Sequence, residues 1–196
     1  MAKLEKSSRV FAGNLLPAAG IYGIDGAHCF AEFRAQHIVA GQVRGRFDSV
    51  SGTIQIAENP LFSTIHITIE SASVSTHNPE RDKDLRSERF FDVQKFPQIT
   101  FVSSGLKTEP EGRLAVEGDL MLRGVTRPVV MDVAFSGIVD DPWGNTRAAF
   151  RAVTRINRRD FGLLADLDRE TGGLLVGKDV TIDIAVEALY KGQVEP

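Results

Sequence analysis

Cysteine and long apolar runs are nearly missing from this chain of 196 residues, and so is any large excess of one charge. A single cysteine, Cys29, excludes an internal disulfide and any paired-cysteine metal site, and it fits a reducing compartment. No stretch approaches the apolar length of a membrane span. The opening MAKLEKSSRVFAGNLLPAAG carries lysines but no apolar run of the kind a secretory leader needs. The expectation is a cytoplasmic protein with residues 1–20 as a flexible tail, one domain over 21–190, and a second tail at 191–196. The 23 basic residues face 26 acidic ones, so the net charge of −3 leaves no electrostatic footprint for nucleic acid. Of the four histidines, His28, His66 and His77 are not spaced to gather on one face, so neither a metal nor a cofactor is expected.

What is present is alternation. Leu114, Val116, Gly118, Leu120 and Leu122 share one face while Glu117 and Asp119 take the other. The same period runs through Val129, Met131, Val133 and Phe135, and through Ala148, Phe150, Ala152, Thr154 and Ile156 against Arg147, Arg151 and Arg155. Ile65, Ile67 and Ile69, then Ala31, Phe33, Ala35 and His37, and finally Val180, Ile182, Ile184 and Val186 complete the pattern. Turn-forming pairs separate these runs: Asp25-Gly26, Asn59-Pro60, Glu111-Gly112, Arg123-Gly124 and the stretch DDPWGN. About eight strands, each with a dry and a wet face, predict an antiparallel all-β fold. Closure into an eight-stranded barrel removes the edges most simply. A two-sheet sandwich satisfies the same periodicity.

One segment breaks the rhythm. Asn78 suits a helix N-cap and Pro79 the first helical position, which predicts a short helix in the 78–91 crossover. Asp82 and Arg86 stand four residues apart as a surface pair. Leu85, Phe90, Phe91 and Phe96 give the segment an apolar side that needs a dock: an open barrel end, or the outer wall. Small residues on the inner face, namely Ala31, Ala35, Gly45, Gly118, Ala148 and Ala152, predict unfilled space in the lumen. They serve equally where strands merely bend.

The runs YGIDGAHCFAEF, HIVAGQVRGRFDSVSGTI and STHNPERDKDLRSERFFDVQKFPQITFVSS, continued in GDLMLRGVTRPVVMDVAF, DPWGNTRAAF, INRRDFGLL and ETGGLLVGKDVTIDIAVEA, resemble the YceI-like family from about Tyr22 to Ala188. The resemblance implies a lipocalin-like barrel with an apolar tunnel for an isoprenoid or other long-chain lipid, and no catalytic residues. The chain departs from it at Cys29, where the family usually has serine, in lacking a leader, and in the acidic run LADLDR. The residues expected to line the tunnel are Phe33, Ala35, His37, Phe47, Ile67, Phe91, Phe101, Leu120, Met131, Val133, Phe135, Phe150, Ala152, Ile156, Phe161, Leu163, Leu175 and Ile182.

His28-Cys29 invites a thiol-nucleophile reading, but neighbouring strand residues point to opposite faces, so Cys29 is expected to be a small buried residue. His37, on the inner face, needs a polar partner, either a backbone carbonyl or a ligand headgroup. Arg155, Arg158 and Arg159 in RINRRD suit a phosphate headgroup or a solvated strand end. Asp160-Phe161-Gly162 copies a kinase tripeptide without its companion motifs. The segment from Asp160 to Lys178 reads as a flap over the tunnel. Phe30 and Val130, apolar on otherwise polar faces, are compatible with a homodimer. The functional expectation is a non-enzymatic protein that carries, stores or sequesters a long-chain lipid such as a quinone precursor, a polyprenyl phosphate or a fatty-acid derivative. The alternatives are a lipid-modifying enzyme using His37, and a stress-response or assembly module with a filled barrel.

Overall fold

The computed structural model describes residues 8–37, 41–165 and 176–193, with His37 described by its backbone alone. The strands are β1 (Ser8–Phe11), β2 (Asn14–Pro17), β3 (Gly20–Ile24), β4 (Phe30–His37), β5 (Gly41–Phe47), β6 (Val50–Ile56), β7 (Thr64–Glu70) and β8 (Val74–Ser75). The helix α1 (Pro79–Arg86) follows, then β9 (Gln98–Thr108), β10 (Leu114–Leu122), β11 (Val125–Asp140), β12 (Thr146–Asn157) and β13 (Val176–Gly192). Every strand pairing among the described residues is antiparallel, and β13 pairs with β12 on one side and with β3 and β4 on the other, which closes the ring. β3 with β4, β5 with β6, and β7 with β8 are broken halves of single strands, so the ring has eight positions. The expected eight-stranded antiparallel barrel is the observed fold.

The three breaks lie side by side. Asp48 N–H donates to the Ser73 carbonyl at 3.3 Å, and Ser73 Oγ receives the Ser49 N–H at 3.1 Å. Beyond these breaks β9 pairs with β7 but not with β8, so the wall is interrupted there. The 79–97 segment stands across this end. On one side the Phe91 ring meets Phe47 at 5.4 Å, and Arg86 donates to the carbonyls of Ala72 at 2.9 Å and Val74 at 2.5 Å. On the other side Arg123 holds the Glu88 carbonyl at 2.8 Å. Arg123 and Gly124, both at positive φ, form the tight turn joining β10 to β11, and a side chain at Gly124 would collide with the Phe96 ring.

The expected helix forms, with the Asn78 side chain receiving the Arg81 N–H at 3.1 Å and Pro79 in the first turn. The expected Asp82–Arg86 pair does not. Asp82 is buried and accepts from the backbone N–H of Thr76 at 2.8 Å and from its hydroxyl at 2.5 Å. A buried carboxylate takes the donors that burial would otherwise leave unmet, whereas Arg86 finds carbonyls at the end of β8.

Residues 8–20 also differ from the expected flexible tail. β1 and β2 make a hairpin around Ala12 and Gly13, both at positive φ. It docks on the end opposite the helix: Arg9 donates to the Glu58 carbonyl at 2.6 Å, Asn14 donates to the Gly112 carbonyl, and Leu16 is buried. Its apolar residues come as the adjacent pairs Val10-Phe11 and Leu15-Leu16 without strand alternation, and what orders it is its seat against distant loops.

Asp82→Ala removes the acceptor of two buried donors on Thr76. It is expected to lower stability by about 1–3 kcal/mol, read as a lower denaturant midpoint at unchanged slope.

Candidate ligand site

The inner face of the barrel encloses two apolar chambers. The upper one, of about 140 Å³, lies under the helix segment and is walled by β4, β5, β7, β9–β13 and the side chains of Leu85, Phe90 and Phe91. The lower one, of about 90 Å³, is reached by Leu16 from the N-terminal hairpin. Ile67 and Ile184 belong to both walls, so they mark the waist between the chambers.

The sequence-based candidates divide accordingly. Phe33, Ala35, Phe47, Ile67, Phe91, Phe101, Leu120, Met131, Ile156, Leu163 and Ile182 line the upper chamber. Val133, Phe135, Phe150 and Ala152 line the lower one, with Ile67 between. Phe161 lines neither; at 2% exposure it is packed in the core beneath the turn Arg158–Phe161. In that turn Gly162 has φ of 74° and closes the bend, which is why glycine follows Asp160-Phe161. The His37 side chain and Leu175 lie outside the described residues, as does 166–175 of the expected flap.

Sequence reasoning missed Leu16, Ile54, Val43, Ile69, Ile99 and Val176 as wall residues. Of these only Ile69 belongs to one of the alternating runs that assign the inner face; the others lie outside those runs. It also misread two glycines. A side chain at Gly45 would collide with the Phe33 ring, and one at Gly118 with the Phe101 ring. Phe33 is the direct cross-strand partner of Gly45, so the ring fills the space that glycine leaves. Ala148 is fully buried and lines neither chamber. Ala31, Ala35 and Ala152 do face open space.

Among the described residues, the one buried charged group at the chamber walls is already engaged. Arg158 is buried, and its guanidinium donates to the carbonyls of Gly177 at 3.1 Å, Ala165 at 3.1 Å, Val176 at 3.0 Å and Leu163 at 2.5 Å. It therefore clamps both ends of the connection between β12 and β13. Among the described residues no group of three or more His, Cys, Asp or Glu could hold a metal ion. Also among them, no helix is long and apolar enough to cross a membrane.

A closed eight-position barrel with an apolar lumen, a helical cover and this order of elements invites comparison with known proteins. The profile of the YceI-like domain matches residues 22–188. The chain belongs to the YceI-like family. Among its YceI relatives, the YceI protein of Salmonella newport is 43% identical over 176 residues, covering 88% of both chains. A UPF0312 protein of Pectobacterium atrosepticum is 39% identical over 179 residues, covering 91% of this chain and 90% of its own. In the same family a crystal structure of a Campylobacter jejuni YceI protein superposes with a TM-score of 0.65 at 27% identity, covering 80% of this chain and 90% of that one. A polyisoprenoid binding domain from Saccharophagus degradans shares the fold, with a TM-score of 0.64 at 20% identity, covering 87% of this chain and 98% of its own.

Cys29, where the YceI resemblance led us to expect serine, is 5% exposed. Its Sγ sits 3.3 Å from the Glu187 carbonyl and 3.1 Å from the Glu187 N–H, while His28 turns away to Asp25 at 3.0 Å. Burial pushes the thiol pKa up, and the nearby Asp25 and Glu187 carboxylates add to this against the Glu187 backbone hydrogen bond. A thiol so held is a poor nucleophile. Labelling of the native protein at neutral pH by a thiol-disulfide reagent is expected to be far slower than labelling of the unfolded chain.

Proposed function

We propose that the barrel binds an isoprenoid or similar long-chain amphiphile along its lumen, for carriage or storage and without chemical change to it. The observation that carries this reading is the upper chamber itself: an apolar void under an aromatic cover, with almost no polar surface exposed to it. Kinship with a family of this fold supports it, as does the polyisoprenoid-binding neighbour of the same architecture. Burying a hydrocarbon tail yields about 0.8 kcal/mol per methylene before entropic costs.

Size constrains the mode of binding. A dry cavity of about 150 Å³ suffices for a benzene, so the upper chamber of about 140 Å³ holds a short segment of a chain and no more. A longer tail must displace wall side chains or pass the Ile67–Ile184 waist into the lower chamber. The Phe33–Phe47–Phe91 cluster, with ring centroids 5.7 and 5.4 Å apart, joins the wall to the cover and is what a longer tail at this end has to displace. The same small volumes, and the glycines filled by phenylalanine rings, favour a second reading: a packed barrel that serves as an assembly or stress-response module.

Native mass spectrometry of the protein purified from its own cells separates the two. The lipid reading expects a copurified mass in the range of a long-chain amphiphile, and a persistently ligand-free protein that binds no prenyl lipid would sink it. Ala35→Phe adds bulk where space is open, so it is expected to weaken lipid binding with little loss of stability. If the lumen is packed, the same change overfills it and costs about 1–3 kcal/mol. Leu85→Asp combined with Phe91→Ser is expected to speed lipid release while leaving the circular dichroism of the strands unchanged.

A further inference from the structure

On the outer face of the wall, near the rim, lies a polar depression of about 530 Å³. It forms where the pairing of β4 with β13 slips. Val176 faces His37 and the next pair is Val180 with Ala35, so Gly177, Lys178 and Asp179 bulge out of the ladder. Arg34, Arg155 and Lys178 bring three cations to this depression, against Asp179 on its wall and Asp183 beside Arg34. In a chain of net charge −3, that local excess comes from placement and not from composition.

The cations are only partly committed. Arg155 reaches Asp179 at 3.0 Å. Arg34 contacts Asp183 at 3.6 Å, while Arg151 holds that carboxylate more closely at 2.5 Å. Lys178 makes neither a hydrogen bond nor an ion pair among the described residues. Gln42 and Thr181 add an amide and a hydroxyl to the rim. Directly through the wall, Val176 and Val180 line the upper chamber, and Ala35 belongs to both spaces. On the inner side of the bulge these two valines stand with the Arg158 guanidinium, which holds the Gly177 and Val176 carbonyls.

We propose that this depression receives the anionic, phosphate-type headgroup of an amphiphile whose tail enters the upper chamber past Ala35. The inference rests on the lipid reading above and specifies its ligand: a prenyl phosphate, not a neutral prenyl alcohol. Arginine and lysine together match a phosphate by forked hydrogen bonds and by point charge. The bulge allows the charged head to remain in water while the hydrocarbon passes Ala35, displacing the Val176 and Val180 side chains that line the inner side.

The test measures binding of geranylgeranyl phosphate, geranylgeraniol and inorganic phosphate to the wild-type protein and to Arg34→Gln/Lys178→Gln. The double variant is expected to bind the phosphate lipid roughly tenfold more weakly, with its affinity for the alcohol unchanged. Added salt is expected to weaken the phosphate lipid alone. Thr181→Glu puts a carboxylate into the depression without removing any cation, and the same selective loss is expected from it. Equal affinity of wild type and both variants for the phosphate lipid overturns the headgroup site. Failure of the wild type to bind either lipid instead overturns the lipid reading itself. Inorganic phosphate binding that the variants lose, with lipid affinities level, makes the depression a free-anion site and also overturns the proposal.

Discussion

Backbone hydrogen bonds along β13 tie the end of the chain to its beginning, and the enclosed lumen exists because of them. The strand is 17 residues long, and its two halves serve different partners: Val180–Ala185 with β4, and Ala188–Gly192 with β3. Its other edge runs along β12 from Asn157 to Arg147. Without this double pairing the remaining strands form an open sheet with one dry face, and that face has no counterpart to bury it. Closure gives every inward side chain a neighbour across the lumen. It also raises the question of how the two ends are sealed.

The ends are sealed by different means. At one, three adjacent strand breaks leave β8 short of β9, and the helix segment with its phenylalanines spans the interruption. Buried Asp82 and the Arg86 and Arg123 guanidiniums pin that segment by backbone and hydroxyl groups, so its seat is polar at the edges and apolar beneath. At the other end the β1–β2 hairpin lies against loops, with Leu16 pointing into the lower chamber. The helix end carries the aromatic cluster and the bulge between β4 and β13, and it is the end where the wall is least regular.

Strand faces were legible because alternation is a local property: Leu114 through Leu122, and Val180 through Val186, fall inward as the period requires. The helix was legible from Asn78 and Pro79 for the same reason. What failed depended on partners far away in sequence. Asp82 looked like one half of a helix-surface pair, yet Thr76 at the end of β8 claims it. Gly45 and Gly118 looked like empty space, yet Phe33 and Phe101 occupy it from neighbouring strands. The N-terminal hairpin has apolar pairs, Val10-Phe11 and Leu15-Leu16, but no alternation, and its seat is made by Ala57, Glu58 and Gly112. Of the candidate site, the inward face was readable where alternation is strict, as at Phe33, Leu120 and Ile182, but Phe161, the division into two chambers and the bulge at Gly177 were not.

The sequence distance between β13 and its partners β3 and β4 bears on biogenesis. Residues 20–37 wait for partners at 176–192, so the ring cannot close until translation has passed residue 192. Pairings of such sequence separation form slowly. Until then the nascent protein is a curling sheet whose apolar concave face and two bare edges are open to the cell, the condition in which chains associate wrongly with one another. A hydrophobic tail laid into that concave face during synthesis would meet no lid and no waist, only the surface that later becomes the inside.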